Sequence, residues 1–133
     1  MKVFVTKVFA RFARSGRISD QMLCDAIARA GQGLIAADLG GGLIKQRIAR
    51  RGQGRSGGFR TVIAYRFEDK AVFVHGSAKN ERDNVNAEDL KRLKKLADLY
   101  LHAPDLDIES WCARGELKEI DCGGKAEISE PDR

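Results

Sequence analysis

The chain has 133 residues, 43% hydrophobic and 32% charged, with a formal net charge of +5. That length suits one domain with a single core and is short for two. No apolar run approaches the ~18–20 residues of a membrane-spanning helix, and MKVFVTKVFARFAR at the N-terminus lacks the apolar stretch of a signal peptide, so a cytoplasmic chain with reduced thiols is expected. Cys24, Cys112 and Cys122 are odd in number and lack zinc-site spacing, which predicts packing residues.

KVFV at Lys2–Val5 reads as a short strand or as the entry to a helix over Thr6–Arg14. Ser19 is a good N-cap for a helix over Asp20–Ala30, in which Leu23, Ala26, Ile27 and Ala30 repeat at helical spacing and Gly31 follows as the stop. GQGLIAADLGGG then reads as a glycine-punctuated loop. Leu43–Ala49 alternates as a strand, with Ile44 and Ile48 on one face and Lys45 and Arg47 on the other. Phe59–Phe67 and Ala71–Ala78 are two further strands, close enough across Glu68, Asp69 and Lys70 for a hairpin.

Asn86 caps a helix over Ala87–His102, with Leu90, Leu93, Ala97, Tyr100 and Leu101 facing inward and Lys91, Arg92, Lys94 and Lys95 outward. Beyond Pro104, Asp105–Ala113 predicts a short helix containing Trp111, and ELKEID a last strand. The expected architecture is α+β, an antiparallel sheet flanked by helices. One domain is expected over residues 1–121, with a polar, frayed tail over 122–133.

GQGRSG at Gly52–Gly57 matches the G-x-G-x-x-G spacing of a dinucleotide site. The context rejects that reading. A dinucleotide fingerprint needs a helix after it and an acid about 20 residues on. Here a β-branched, aromatic segment follows, and no acid occurs between Asp38 and Glu68. The glycines are therefore expected in a turn region between two strands, where sharp backbone turns need them.

Charge is distributed unevenly. From Leu39 to Phe67 the chain carries Lys45, Arg47, Arg50, Arg51, Arg55, Arg60 and Arg66 with no acid. Such a block attracts phosphates; the bland alternative is a solvated basic surface. Only His75 and His102 are available as imidazoles, far apart in sequence and without a neighbouring carboxylate cluster. No metal or cofactor is expected, and a histidine within a strand is ordinarily packed or on the surface. Serine and cysteine nucleophiles lack a histidine partner.

Lys45, Arg47, Arg60, Lys79 and Arg82 are left. If the strands are sequential neighbours, these groups converge near one end of the sheet, with Arg60 opening one strand and Lys79 closing the next. Such a set suits metal-free cleavage of RNA, in which the 2′-hydroxyl attacks the adjacent phosphate and cations stabilise the developing charge. A lysine crowded by cations can also serve as base.

ADLGGGLIKQRIARRGQGRSGGFRTVIAYR, with VFVHGSAKNERDNV and EDLKRLKKLADLYL after it, resembles the RelE/HigB-like toxins of bacterial toxin–antitoxin systems, from about Phe9 to Ile120. The resemblance implies a compact antiparallel sheet flanked by helices, cleavage of mRNA on the ribosome, and neutralisation by an antitoxin. It assigns Lys45 and Arg47 to the family's basic strand pair and Arg60 to the arginine after the aromatic. Lys79 and Arg82 fall in its K-x-E-R segment, and Arg50, Arg51 and Arg55 are expected to grip ribosomal RNA backbone. One RelE branch has a stacking tyrosine after that segment, where this chain has Asn84, Val85 and Asn86. Arg55 stands where many relatives have lysine, which keeps phosphate affinity and removes a possible base. The same architecture hosts ParE-type toxins that act on gyrase, so that reading and a non-catalytic RNA-binding domain stay open beside the ribonuclease.

Overall fold

The computed structural model describes residues 1–50, 54–78 and 85–123. The element order is β1 (Lys2–Thr6), α1 (Lys7–Gly16), α2 (Asp20–Gly31), β2 (Ala37–Gly40), β3 (Leu43–Arg50), β4 (Gly54–Arg66), β5 (Lys70–Ala78), α3 (Ala87–His102), α4 (Asp105–Ala113) and β6 (Leu117–Ile120). Local chemistry sets the helix starts. The Thr6 hydroxyl accepts from the Phe9 amide at 3.1 Å, the Ser19 hydroxyl from Met22 at 3.2 Å, and the Asn86 amide oxygen from Asp89 at 2.8 Å. Each satisfies one of the amides that a helix leaves unpaired at its N-terminus.

The six strands form one sheet in the order β2-β3-β4-β5-β1-β6. Four of the five pairings are antiparallel, and β1 runs parallel to β5, with Val3 opposite Ala71 and Val5 opposite Phe73. The expected antiparallel sheet is therefore a mixed one. Parallel neighbours need a long crossover, and here everything from α1 to β4 lies between the two strands. The expected glycine loop also contains a strand, because β2 pairs with β3 (Ala37 with Lys45, Asp38 with Ile44) at the sheet edge.

Alternation within the strands supplies a core on each face. On one, Val3, Val5, Ile44, Ile48, Phe59, Ile63 and Phe73 pack against Phe9 and Ala13 of α1 and Leu23, Ala26, Ile27 and Ala30 of α2. Phe4, Leu43, Val62, Ala64, Val72 and Val74 meet Leu93, Ala97 and Leu101 of α3 and Ile108 of α4 on the other. Phe59 and Phe73 are core residues.

Polar groups inside are partnered. Gln46, only 2% exposed, donates from Nε2 to the Ala26 and Leu34 carbonyls at 3.0 and 2.9 Å, which ties β3 to α2. The buried Lys70 donates from Nζ to the Tyr100 and Ala103 carbonyls at 3.2 and 3.4 Å, placing a cation at the negative end of α3.

Two glycines are explained by close packing. Gly42 has φ +86°, and a Cβ there would lie 2.6 Å from Leu101 Cδ1. Gly58 lies within β4, and a Cβ on it would come 2.6 Å from the Ile48 carbonyl oxygen. That close approach sits at the register shift between Ile48 and Arg50. The glycine segment read as a turn region is thus largely strand, since β4 begins at Gly54 and Arg50 pairs with Gly54.

The cysteines depart from expectation. Cys24 of α2 and Cys122 form a disulfide with a Cα–Cα separation of 5.5 Å, and Cys112 is the free cysteine among the described residues. A sequence separation of 98 hid this pairing. Cys24 and Ile120, at the end of β6, share the α1/α2 core, which brings the two thiols within reach. The remainder of the expected tail, 124–133, lies outside the described residues. None of the described helices is long and apolar enough to cross a membrane.

Candidate nucleic-acid interface

Strand register decides which charges meet. Arg47 of β3 is directly opposite Arg60 of β4, and Arg60 is opposite Ser77 of β5. Two residues along the strands, and so the next row on the same face, are Ala37, Lys45, Val62 and His75, across four strands. Directly opposed Cβ atoms are about 4.5–5.5 Å apart, and residues two apart in a strand are separated by about 6.6 Å. Lys45, Arg47 and Arg60 therefore arise from one small area of sheet.

Their face follows from the alternation. Leu43 and Val62 belong to the α3 core, so Lys45 and Arg47 in phase with Leu43, and Arg60 in phase with Val62, stand on the α3 side. Gln46 between them points the opposite way, toward α2. Arg47 is exposed, while Lys45 and Arg60 are half-buried. Arg60 lies in the interior of a 13-residue strand instead of opening it.

The other site residues read from the sequence divide in two. Arg50 and Arg55 have their backbones in β3 and β4, and their side chains lie outside the description. Arg51, Lys79 and Arg82 lie outside the described residues altogether. So does Asn84 of the segment that departs from the tyrosine pattern. Lys45, Arg47 and Arg60 are thus the members that the fold brings together.

His75 joins them. Strict alternation along β5 would send His75 to the same side as Phe73, into the α1 core. A register shift intervenes, with Val62 opposite His75 and Ile63 opposite Phe73, leaving Val74 as the extra residue. Val74 packs in the α3 core, whereas Gly76 lies against Phe12 and Phe9 of α1. His75 therefore emerges on the α3 face, half-buried and in the row of Lys45. Burial pushes its pKa below the usual 6.5; Asp89 of α3 opposes that shift and Arg92 of α3 adds to it. A periodicity argument has no means of finding a bulge, which is why His75 looked like an ordinary strand histidine.

A cavity of about 740 Å³ opens at the same end of the sheet, lined by Asp25, Arg29, Leu34, Gln46, Ile48 and Phe59 among others. Arg47 and Arg60 border it too, and the Arg29 guanidinium donates to the Arg47 carbonyl there at 2.9 Å. By alternation the Arg47 and Arg60 side chains leave these strands on the α3 face, although both residues border the cavity. Among the described residues, no three His, Cys, Asp or Glu side chains are grouped so that they could hold a metal ion.

A comparison with curated proteins finds no match. Residues 1–120 match the family described as RelE toxin of RelE / RelB toxin-antitoxin system. The α+β arrangement, with its mostly antiparallel sheet, agrees with that match. Since the match runs through nearly the whole 133-residue chain, the chain belongs to the RelE toxin family of RelE/RelB toxin–antitoxin systems.

Proposed function

We propose that the chain is a toxin that cleaves mRNA on the ribosome by attack of the 2′-hydroxyl on the adjacent phosphate, without a catalytic metal, and that an antitoxin neutralises it. The observation that carries this reading is the opposition of Arg47 and Arg60 with Lys45 in the next row on the same face. Three cations held on neighbouring strands offer charge-assisted hydrogen bonds to phosphoryl oxygens where negative charge builds in the transition state. Removing one such donor typically costs on the order of 10²–10³ in rate. Arg50, Arg51 and Arg55 extend the basic segment and would grip RNA backbone, while Lys79 and Arg82 would add charge beyond β5.

The test is the chemistry of the RNA ends. Purified toxin and mRNA-programmed ribosomes should yield fragments ending in a 2′,3′-cyclic or 3′-phosphate, each followed by a 5′-hydroxyl, and Lys45→Ala or Arg60→Ala should remove them from a folded protein. Fragments with a 3′-hydroxyl would sink the 2′-hydroxyl route. Intact RNA together with gyrase trapped on DNA would favour the ParE-type reading instead.

A further inference from the structure

Cleavage by this route needs a group that accepts the 2′-hydroxyl proton, and arginine does not fill that role. A guanidinium has five donors and no acceptor, and it stays protonated in proteins. We infer that His75 is the catalytic base of the site, turned onto the basic face by the extra residue Val74 in β5. This inference rests on the ribonuclease reading above and deepens it.

Three observations carry it. Register places His75 in the Lys45–Val62 row, with Arg60 in the adjacent row, so a phosphate held between the cations lies within a few side-chain lengths of the imidazole. The bulge is the device that brings it there, and bulges commonly re-aim side chains beside active sites. Asp89 and Arg92 of α3 act on the imidazole electrostatically, and register sets Arg60 of β4 and Lys45 of β3 on the same face of the sheet. Burial favours its neutral form, which supplies the lone pair that a base needs.

In the step itself the 2′-oxygen forms a bond to phosphorus while its proton passes to the unprotonated imidazole nitrogen. The P–O5′ bond breaks, its electron pair leaves on O5′, and O5′ takes a proton from water. The products are a 2′,3′-cyclic phosphate and a 5′-hydroxyl, and the imidazolium then returns its proton to solvent. Lys45, Arg47 and Arg60 hold the phosphoryl oxygens throughout and change no covalent bond.

The experiment follows single-turnover cleavage of mRNA on ribosomes by wild type, His75→Gln and His75→Ala across about pH 5–9. Wild type should show a rate that rises with pH through a pKa below the ordinary histidine value and then levels off. His75→Gln should lose roughly 10²–10⁴-fold in rate together with that limb, while cosedimenting with ribosomes as wild type does. Added imidazole should restore part of the cleavage by His75→Ala, which keeps the test alive if the glutamine variant folds poorly. A folded His75→Gln that cuts at the wild-type rate with the same limb overturns His75 alone. So does slow cleavage by both variants with no imidazole rescue and an unaltered limb. A wild type that binds ribosomes yet never cuts RNA overturns the ribonuclease reading, and the proposal falls with it.

Discussion

Arg47 and Arg60 face each other as a directly opposed pair in β3 and β4, two like charges where a sheet ordinarily gains from opposite ones. Directly opposed like charges are ordinarily unfavourable in a sheet, and both residues stand on the face proposed above to bind RNA phosphate.

An Arg47→Thr substitution separates the repulsion from the binding. Threonine suits a strand and removes the repulsion, so stability should hold or rise by up to about 1 kcal/mol. RNA cleavage should fall on the order of 10²-fold. Urea unfolding and cleavage measured on one preparation check both. Loss of stability above that range would give Arg47 a structural duty.

Salt dependence probes the arginines around the β3–β4 connection. Each phosphate contact adds roughly 0.7–0.9 to the slope of log affinity against log salt. Replacing Arg50, Arg51 and Arg55 together by alanine should weaken ribosome binding at every ionic strength and flatten that slope. Cut-site preference should stay as it was, since backbone contacts position a protein and do not read bases. Unchanged affinity and slope would reduce this segment to a strand connection.

The Cys24–Cys122 bond closes a loop spanning 98 residues. In the chain-entropy treatment, a cross-link of about that span stabilises by roughly 4–5 kcal/mol. Reduction, or Cys24→Ser, should therefore lower the urea midpoint clearly. Alkylation of the oxidised protein after unfolding should label one thiol, and three after reduction, because only Cys112 is free. Three labelled thiols without reductant would show that the bond is absent in solution.

Stability should also depend on pH through His75. Its pKa is depressed in the folded protein, so the unfolded chain binds the proton first as pH falls through about 6.5. The contribution is present in full above that value and is lost as pH falls toward the folded pKa. Wild type should thus lose more stability between about pH 7.5 and pH 5 than His75→Gln does. Parallel losses in the two proteins would mean that His75 is as well solvated folded as unfolded.

Much of this protein is local enough to be read from its residues. Ser19 and Asn86 cap their helices because a side-chain oxygen reaches amides three residues on, and Glu68, with φ 60°, lies in the short turn from β4 to β5. Lys45 and Arg47 share a face because strand side chains alternate with a period of two. That the acid-free basic block lies on strands likewise came from composition and pattern. What the chain order could not convey depends on pairing between distant segments. The parallel contact of β1 with β5, the closure of Cys24 on Cys122, and the strand at Ala37–Gly40 are settled only when the sheet assembles. Gly58 is needed because the Ile48 carbonyl approaches it from the neighbouring strand. His75 shows the division most sharply. Its own sequence context assigns it to the α1 face, and one unpaired residue, Val74, moves it to the other. A bulge is a property of two paired strands, so no periodicity within one of them can register it.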